Sequence, residues 1–194
     1  MEVSRVITNA SNQLTKFLQD VLKQTMEIEA EHIGLSTPGE NHNLAVCVYL
    51  YDIKKNTDMI FRKMIPIDAK TSRYPSTYYD LHYMIVPYSK SDIRYKASEE
   101  QRYLDVMIQA LGDAFWLEDG FTKEDLITEH SATKLELLDM DYEEKAKIWS
   151  SLNQAFKLSL FCKVGPVEVS SARSKKVERV EEIQISFVNR ERKE

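Results

Sequence analysis

Four histidines, His32, His42, His82 and His130, and two cysteines, Cys47 and Cys162, are the side chains of this chain that could hold a metal ion or act as base and nucleophile. Such chemistry needs short fixed spacings, as in HExxH on a helix or a CxxC knuckle, so that donor atoms converge on one point. The four histidines lie far apart, and the two cysteines stand in different strand-like segments with no CxxC spacing. The cysteines read as reduced core residues rather than a disulfide. His82 near Asp80 and Glu129 beside His130 read as polar strand neighbours, not as an acid and a base. Only five glycines occur, none in a GxGxxG or GxxxxGK pattern, so the sequence gives no warrant for a phosphate cradle. A carboxylate pair that shares a cleft cannot be recognised from spacing alone. No catalytic residue, no cofactor and no metal site is expected, and the chain does not read as an enzyme.

The bulk numbers agree with a binding or structural protein. With 194 residues, 43% apolar and 29% charged, the chain is long enough for one domain with a sizeable core. Its longest apolar run, Leu44 to Tyr51, is eight residues, far short of the roughly 20 that span a bilayer. Arg5 is followed by Asn9, Ser11, Asn12 and Gln13 where a secretory signal needs an apolar centre, so synthesis and assembly in the cytoplasm are expected. The net charge of -5 is uneven: Glu118 to Glu144 holds ten acidic and two basic residues, leaving the rest at +3. No basic face dominates, which argues against nucleic acid as the partner. The asymmetry suits a subunit that meets different neighbours on its two sides; a solvated acidic surface explains it equally well.

The elements that would position any site follow from periodicity. Apolar residues at Val3, Ile7, Ala10, Leu14, Phe17, Leu18, Val21 and Leu22 predict an amphipathic helix ending near Met26, docked on a sheet or on a neighbouring subunit. Glu31 to Leu35 is a short strand candidate, and STPGENHN an exposed loop. Leu44 to Ile53 is apolar on both alternating faces, the mark of an interior strand covered on two sides. Lys54 to Pro75 reads as a long loop that mixes basic residues with Met59, Ile60, Phe61, Met64, Ile65 and Ile67; it either binds a partner or folds over the sheet edge. Tyr78 to Tyr88 is a second strand, which Pro87 should end or place at a sheet edge. Ser98 and Gln101 have capping-box spacing, so a helix is predicted from there to about Leu111, with Leu104, Met107, Ile108 and Leu111 inward, Phe115 a candidate to extend that face, and Gly112 able to supply its left-handed stop.

FWLEDGF at 115 to 121 is an aromatic turn, and Asp125 to Glu129 and Lys134 to Leu138 are strand candidates. Asp141, with Glu144 three residues on, starts a helix whose Trp149 and Leu152 face inward. Leu158, Leu160, Cys162, Val164, Val167 and Val169 form a long strand bent at Gly165-Pro166. A polar turn over Ser170 to Lys176 then reverses it into a return strand with Val177, Val180, Ile183, Ile185 and Phe187. The tip of this long C-terminal hairpin carries Arg173, Lys175 and Lys176. Residues 1–188 are expected to form one domain and 189–194 a charged, frayed tail.

VCVYLYDI at 46 to 53, DLHYMIVPYS at 80 to 89, the helix SEEQRYLDVMIQAL, and WSSL followed by LSLFCKV together resemble the cap, or tail-terminator, proteins of phage-like contractile injection systems. The resemblance covers nearly the whole chain. It implies an α/β (α+β) fold with a mixed, largely antiparallel sheet flanked by helices. It also implies a structural role: a hexameric ring that closes the distal end of inner tube and sheath, ends polymerisation and anchors the sheath. The implied partners are further copies of the chain, sheath subunits and tube subunits. A membrane anchor protein is compatible with the outer face, but no residue demands one. The resemblance makes Arg173, Lys175 and Lys176 candidate sheath contacts, and Phe61 and Met64 candidate subunit or tube contacts. The alternative is a soluble adaptor or assembly chaperone of similar architecture that binds another particle component.

Overall fold

A computed structural model describes residues 5–40, 43–59, 63–68, 70–113 and 133–176. Its elements are α1 (Val6–Met26), β1 (Ile33–Leu35), β2 (Val46–Lys55), β3 (Ile65–Pro66), β4 (Thr71–Arg73), β5 (Thr77–Pro87), α2 (Ile93–Asp113), β6 (Lys134–Leu137), α3 (Tyr142–Ser151), β7 (Leu160–Val169) and β8 (Ser174–Lys176). The main sheet has the order β1-β2-β5-β7-β6. Only the β1–β2 pairing is parallel; the other three are antiparallel. A mixed, largely antiparallel sheet flanked by helices is therefore the observed architecture.

The doubly apolar pattern of β2 and β5 has its reason in this order, because both strands lie inside the sheet and both faces are covered. On one face Val46, Val48, Leu81, Tyr83 and Ile85 pack with Leu14, Leu18 and Leu22 of α1 and with Leu104, Met107 and Leu111 of α2. On the other, Cys47, Met84, Val86 and Phe161 pack with Trp149 of α3. Each such side chain, fully buried, contributes about 1.5–3 kcal/mol of transfer free energy. Polar ties fix the layers: Ser11 Oγ lies 2.9 Å from the buried Tyr83 hydroxyl, and Gln19 Nε2 donates to the carbonyls of Ala30 and Ile33 at 3.0 and 2.8 Å. Trp149 Nε1 donates to Ser159 Oγ at 3.2 Å, so its polar edge is satisfied where its ring is buried.

The expected capping box of α3 is present, with Glu144 N donating to Asp141 Oδ1 at 2.8 Å and Asp141 N to the Glu144 carboxylate at 3.4 Å. The bend at Gly165-Pro166 is a β-bulge, since the pairs Tyr79↔Val167 and Leu81↔Val164 leave two residues opposite Asp80. A Cβ on Gly165 would collide with the Asp80 carboxylate and fall 3.0 Å from Asp80 Cα, so any larger residue here would have to displace Asp80.

Several expectations are corrected. Helix α2 begins at Ile93, not Ser98, with the Asp92 carbonyl accepting from Tyr95 N and Lys96 N. Ser98 is an interior helix residue, Ile108 is 46% exposed, and Tyr103 takes a buried place instead. Gly112 lies within the helix and is not its left-handed stop. Leu158 lies outside β7 and is 57% exposed. The segment from Lys54 to Pro75 is no simple loop, because it supplies β3 and β4. Nor do residues 174–176 belong to a reversing turn: they form β8 and pair with β4. The aromatic turn at 115–121, the strand candidate at 125–129, and the return strand and tail beyond Lys176 lie outside the described residues.

Candidate functional site

The short strands make a second, three-stranded sheet, β3-β4-β8. Its registers, Ile65↔Arg73 and Arg73↔Ser174, place the Met64 segment and the Arg173–Lys176 segment on two sides of one strand. Two candidate contact regions more than 100 residues apart in sequence thus become one surface. The Thr77↔Val169 pair of the main sheet is followed by Arg73↔Ser174, so this basic arm continues the β5–β7 run beyond a short break. Tyr74 N donates across the break to the Arg173 carbonyl at 3.0 Å.

Side-chain geometry orders the arm without neutralising it. The Arg173 guanidinium sits 4.6 Å from the centre of the Tyr74 ring, a cation–π contact that keeps its charge. Arg173 N also donates to Ser171 Oγ at 3.2 Å. Lys175 and Lys176 are exposed, and Met64 is half-buried. Ile65 and Ile67 are 36% and 58% exposed, so apolar surface accompanies the charge. Arg73 Nε is buried with no hydrogen-bond partner among the described residues. The described residues of the arm, 63–68, 70–73 and 173–176, carry Lys63, Lys70, Arg73, Arg173, Lys175 and Lys176 against one carboxylate, Asp68. That carboxylate is tied up locally, accepting from Lys70 N at 2.7 Å, and this bond holds it below the usual carboxylate range. Phe61 lies outside the described residues.

At the opposite end of β5 is an open pocket of about 490 Å³ between the end of α1, the β5–α2 connection and α2. Tyr88 and Tyr103 wall it, and Glu27, Glu29 and Glu99 face it with Lys90 and His32. Glu99 accepts from the hydroxyls of Ser89 and Ser91, the latter at 2.6 Å, and these donors hold its carboxyl below the usual range. Glu100 is engaged elsewhere, by Lys157 at 2.6 Å, and the Lys157 ammonium also lies 4.9 Å from the Tyr88 ring centre.

The histidines and cysteines do not converge. His82 is 8% exposed beneath Tyr51, and burial pushes its pKa down. Its neighbour Asp80 is a structural residue, accepting twice from Asn56 Nδ2 at 3.1 and 3.0 Å. Cys47 donates to the Ser36 carbonyl at 2.9 Å, and both thiols are buried, which pushes them up to about 11 for Cys47 and about 12 for Cys162. Among the described residues there is no cluster of metal-ligating side chains and no helix long and apolar enough to cross a membrane. His42, Glu129 and His130 lie outside them. Sequence reasoning missed the pocket altogether; the run of acidic residues Glu27, Glu29 and Glu31 at the end of the first helix was its one visible signal.

The fold is similar to two solved assemblies. One is the PVC sheath/tube terminator of an extracellular contractile injection system in its extended state, with TM-score 0.66 and 15% identity over 97% of this chain and 65% of that one. The other is the tube-terminating cap of the anti-feeding prophage, with TM-score 0.63 and 18% identity over 92% of this chain and 60% of that one. The chain thus spans less than two thirds of the length of either. No curated protein sequence matches it. The model of the Pvc16 N-terminal domain matches residues 10–182, and the chain belongs to that family.

Proposed function

We propose that this chain is a structural cap protein: a terminator that forms a hexameric ring on the distal end of the inner tube and contractile sheath of a phage-tail-like injection particle, ends polymerisation and anchors the sheath. The observation that carries the reading is the fold likeness over 97% of the chain to a sheath/tube terminator, within a family matched over residues 10–182. The physical design suits it. A ring closes by repeating one interface, which asks for a rigid core and complementary surfaces rather than a reactive centre. The sheet core is covered on both sides, and basic charge is gathered on an arm that leaves it. Arg173, Lys175, Lys176 and Met64, with Phe61, are the candidate contacts to sheath, tube or a neighbouring subunit. Residues 1–188 act in this reading as one cap domain, assembled in the cytoplasm and carried with the particle. No catalysis is required.

Electron microscopy of particles from a strain lacking the gene tests the proposal. Tubes and sheaths of irregular length, or sheaths that fall away from the tube, are expected. Normally capped particles of uniform length would overturn the reading, and capture of free sheath or tube subunits by the protein would then favour an adaptor.

A further inference from the structure

The two charged regions sit at opposite ends of one strand. Beyond Thr77, β5 passes into the basic arm; beyond Pro87, it passes into Tyr88 and the acidic pocket. Eleven strand residues separate them, about 33 Å at the rise of an extended chain. No folded copy can bring its own arm to its own pocket.

Each end presents charged groups at the surface of the described residues. Among the described residues β8 is an outer strand of its sheet, with Lys175 and Lys176 exposed and one edge unpaired by any described strand. The pocket lies where anions are disfavoured, since a helix C-terminus carries partial negative charge. Yet α1 ends there on Glu27, a non-glycine residue in the left-handed region with φ of 56°, followed by Glu29. Lys23 reaches Glu29 only at 3.6 Å, with both side chains about two-thirds exposed or nearly so, at 60% and 66%. A pair so exposed contributes little. The left-handed turn itself serves the subunit, since Glu27 N and Ile28 N donate to the Lys23 and Leu22 carbonyls at 3.2 and 3.4 Å; it is the placing of two carboxylates at the negative end of a helix that offers a surface to a partner. Its aromatic walls suit a lysine or arginine side chain, whose stem packs on rings while the head finds a carboxylate. Tyr88 already takes the Lys157 ammonium on one face.

We infer that copies of this chain associate head to tail, the β8 edge of one copy, through Lys175 and Lys176, seating at the Tyr88–Tyr103 pocket of the next against Glu27 and Glu29. The interface joins unlike surfaces, so it repeats until the rotation closes a ring. The inference rests on the cap reading for the ring that the contact builds. The contact itself is testable on the isolated protein, so the two fail separately.

The test is a disulfide placed across the contact. In the double variant Glu29→Cys/Lys176→Cys the two native thiols stay buried and unreactive, so oxidation reports the new pair alone. The expected product is a ladder of covalent oligomers at protein concentrations up to the solubility limit, absent from either single variant beyond a dimer. An unlinked monomer at every concentration, or a disulfide closed within one chain, overturns the inference. Charge reversal supplies an independent readout by sedimentation. Lys175→Glu/Lys176→Glu and Glu27→Lys/Glu29→Lys should each weaken self-association by about tenfold or more, and an equimolar mixture of the two should recover it. Unchanged association in both, or no recovery on mixing, rules the contact out.

Discussion

The five-stranded sheet and the three-stranded arm are built from the same two strand runs but to opposite specifications. In β5 every side chain from Leu81 to Pro87 is buried, and both faces meet a helix layer. A few residues away, β8 is exposed at every position and β4 only half covered. The first region spends its residue choices on apolar complementarity; the second spends them on charge. The separation has a physical benefit. Substitutions in the arm can alter its surface charge without loosening the packing that holds it in place, and the core can drift within its apolar pattern without changing that surface.

Breaking the core should give the largest effect. Trp149→Ala removes the buried aromatic that seals one face of the sheet and leaves Ser159 without its donor. Destabilisation of about 3–5 kcal/mol is expected, read as a fall in the denaturation midpoint in urea at unchanged slope.

A smaller effect should come from pH. Burial, reinforced by Lys54 and opposed by Asp52 and Asp80, with Lys163 a lesser repulsion, holds the His82 imidazole below its ordinary value. The unfolded chain therefore takes the proton first. The stability from the neutral imidazole is complete above the unfolded value of about 6.5 and is lost as pH falls through the lower folded value. Thermal melts should decline across that window, and His82→Gln should flatten the decline. Glu99, held low by serine hydroxyls, loses its contribution only in a more acid range, below the ordinary carboxylate value of 4.5.

The smallest effect on stability should come from the arm. Arg173→Ser/Lys175→Ser/Lys176→Ser should move unfolding by no more than about 0.5 kcal/mol, as for surface changes away from buried networks, while binding to particle ends weakens. A loss of stability comparable to that of Trp149→Ala would show that arm and core are not separable.

What was legible in the sequence follows the same division. Strands β2 and β5 announced themselves because burial on two faces leaves an unbroken apolar run, and α3 because its cap is a local hydrogen-bond pattern written in adjacent residues. The start of α2 was misread because Ser98-x-x-Gln101 imitates a capping box inside the helix. The true first turns carry Ile93 and Tyr95, which are 89% and 62% exposed and give no apolar stripe to find. Strands β4 and β8, Thr-Ser-Arg and Ser-Lys-Lys, have no alternation at all. Their pairing is set by β5 and β7 arriving side by side, a long-range fact that no local window holds. For the same reason the sequence marks Arg173, Lys175 and Lys176 as candidates but gives no sign of their union with the Met64 segment.

The continuity of β4 with β5 and of β8 with β7 has a mechanical consequence. Tension applied to the arm along its length enters the body through two interior strands and runs parallel to them. The ladder hydrogen bonds of an antiparallel pair lie across that direction, so they are loaded in shear, many at once, instead of being peeled one after another. β5 is bonded on one side to β2 and on the other to β7, so a pull on this slender appendage is distributed across the width of the main sheet. The weakest-looking part of the molecule is thereby coupled to its stiffest.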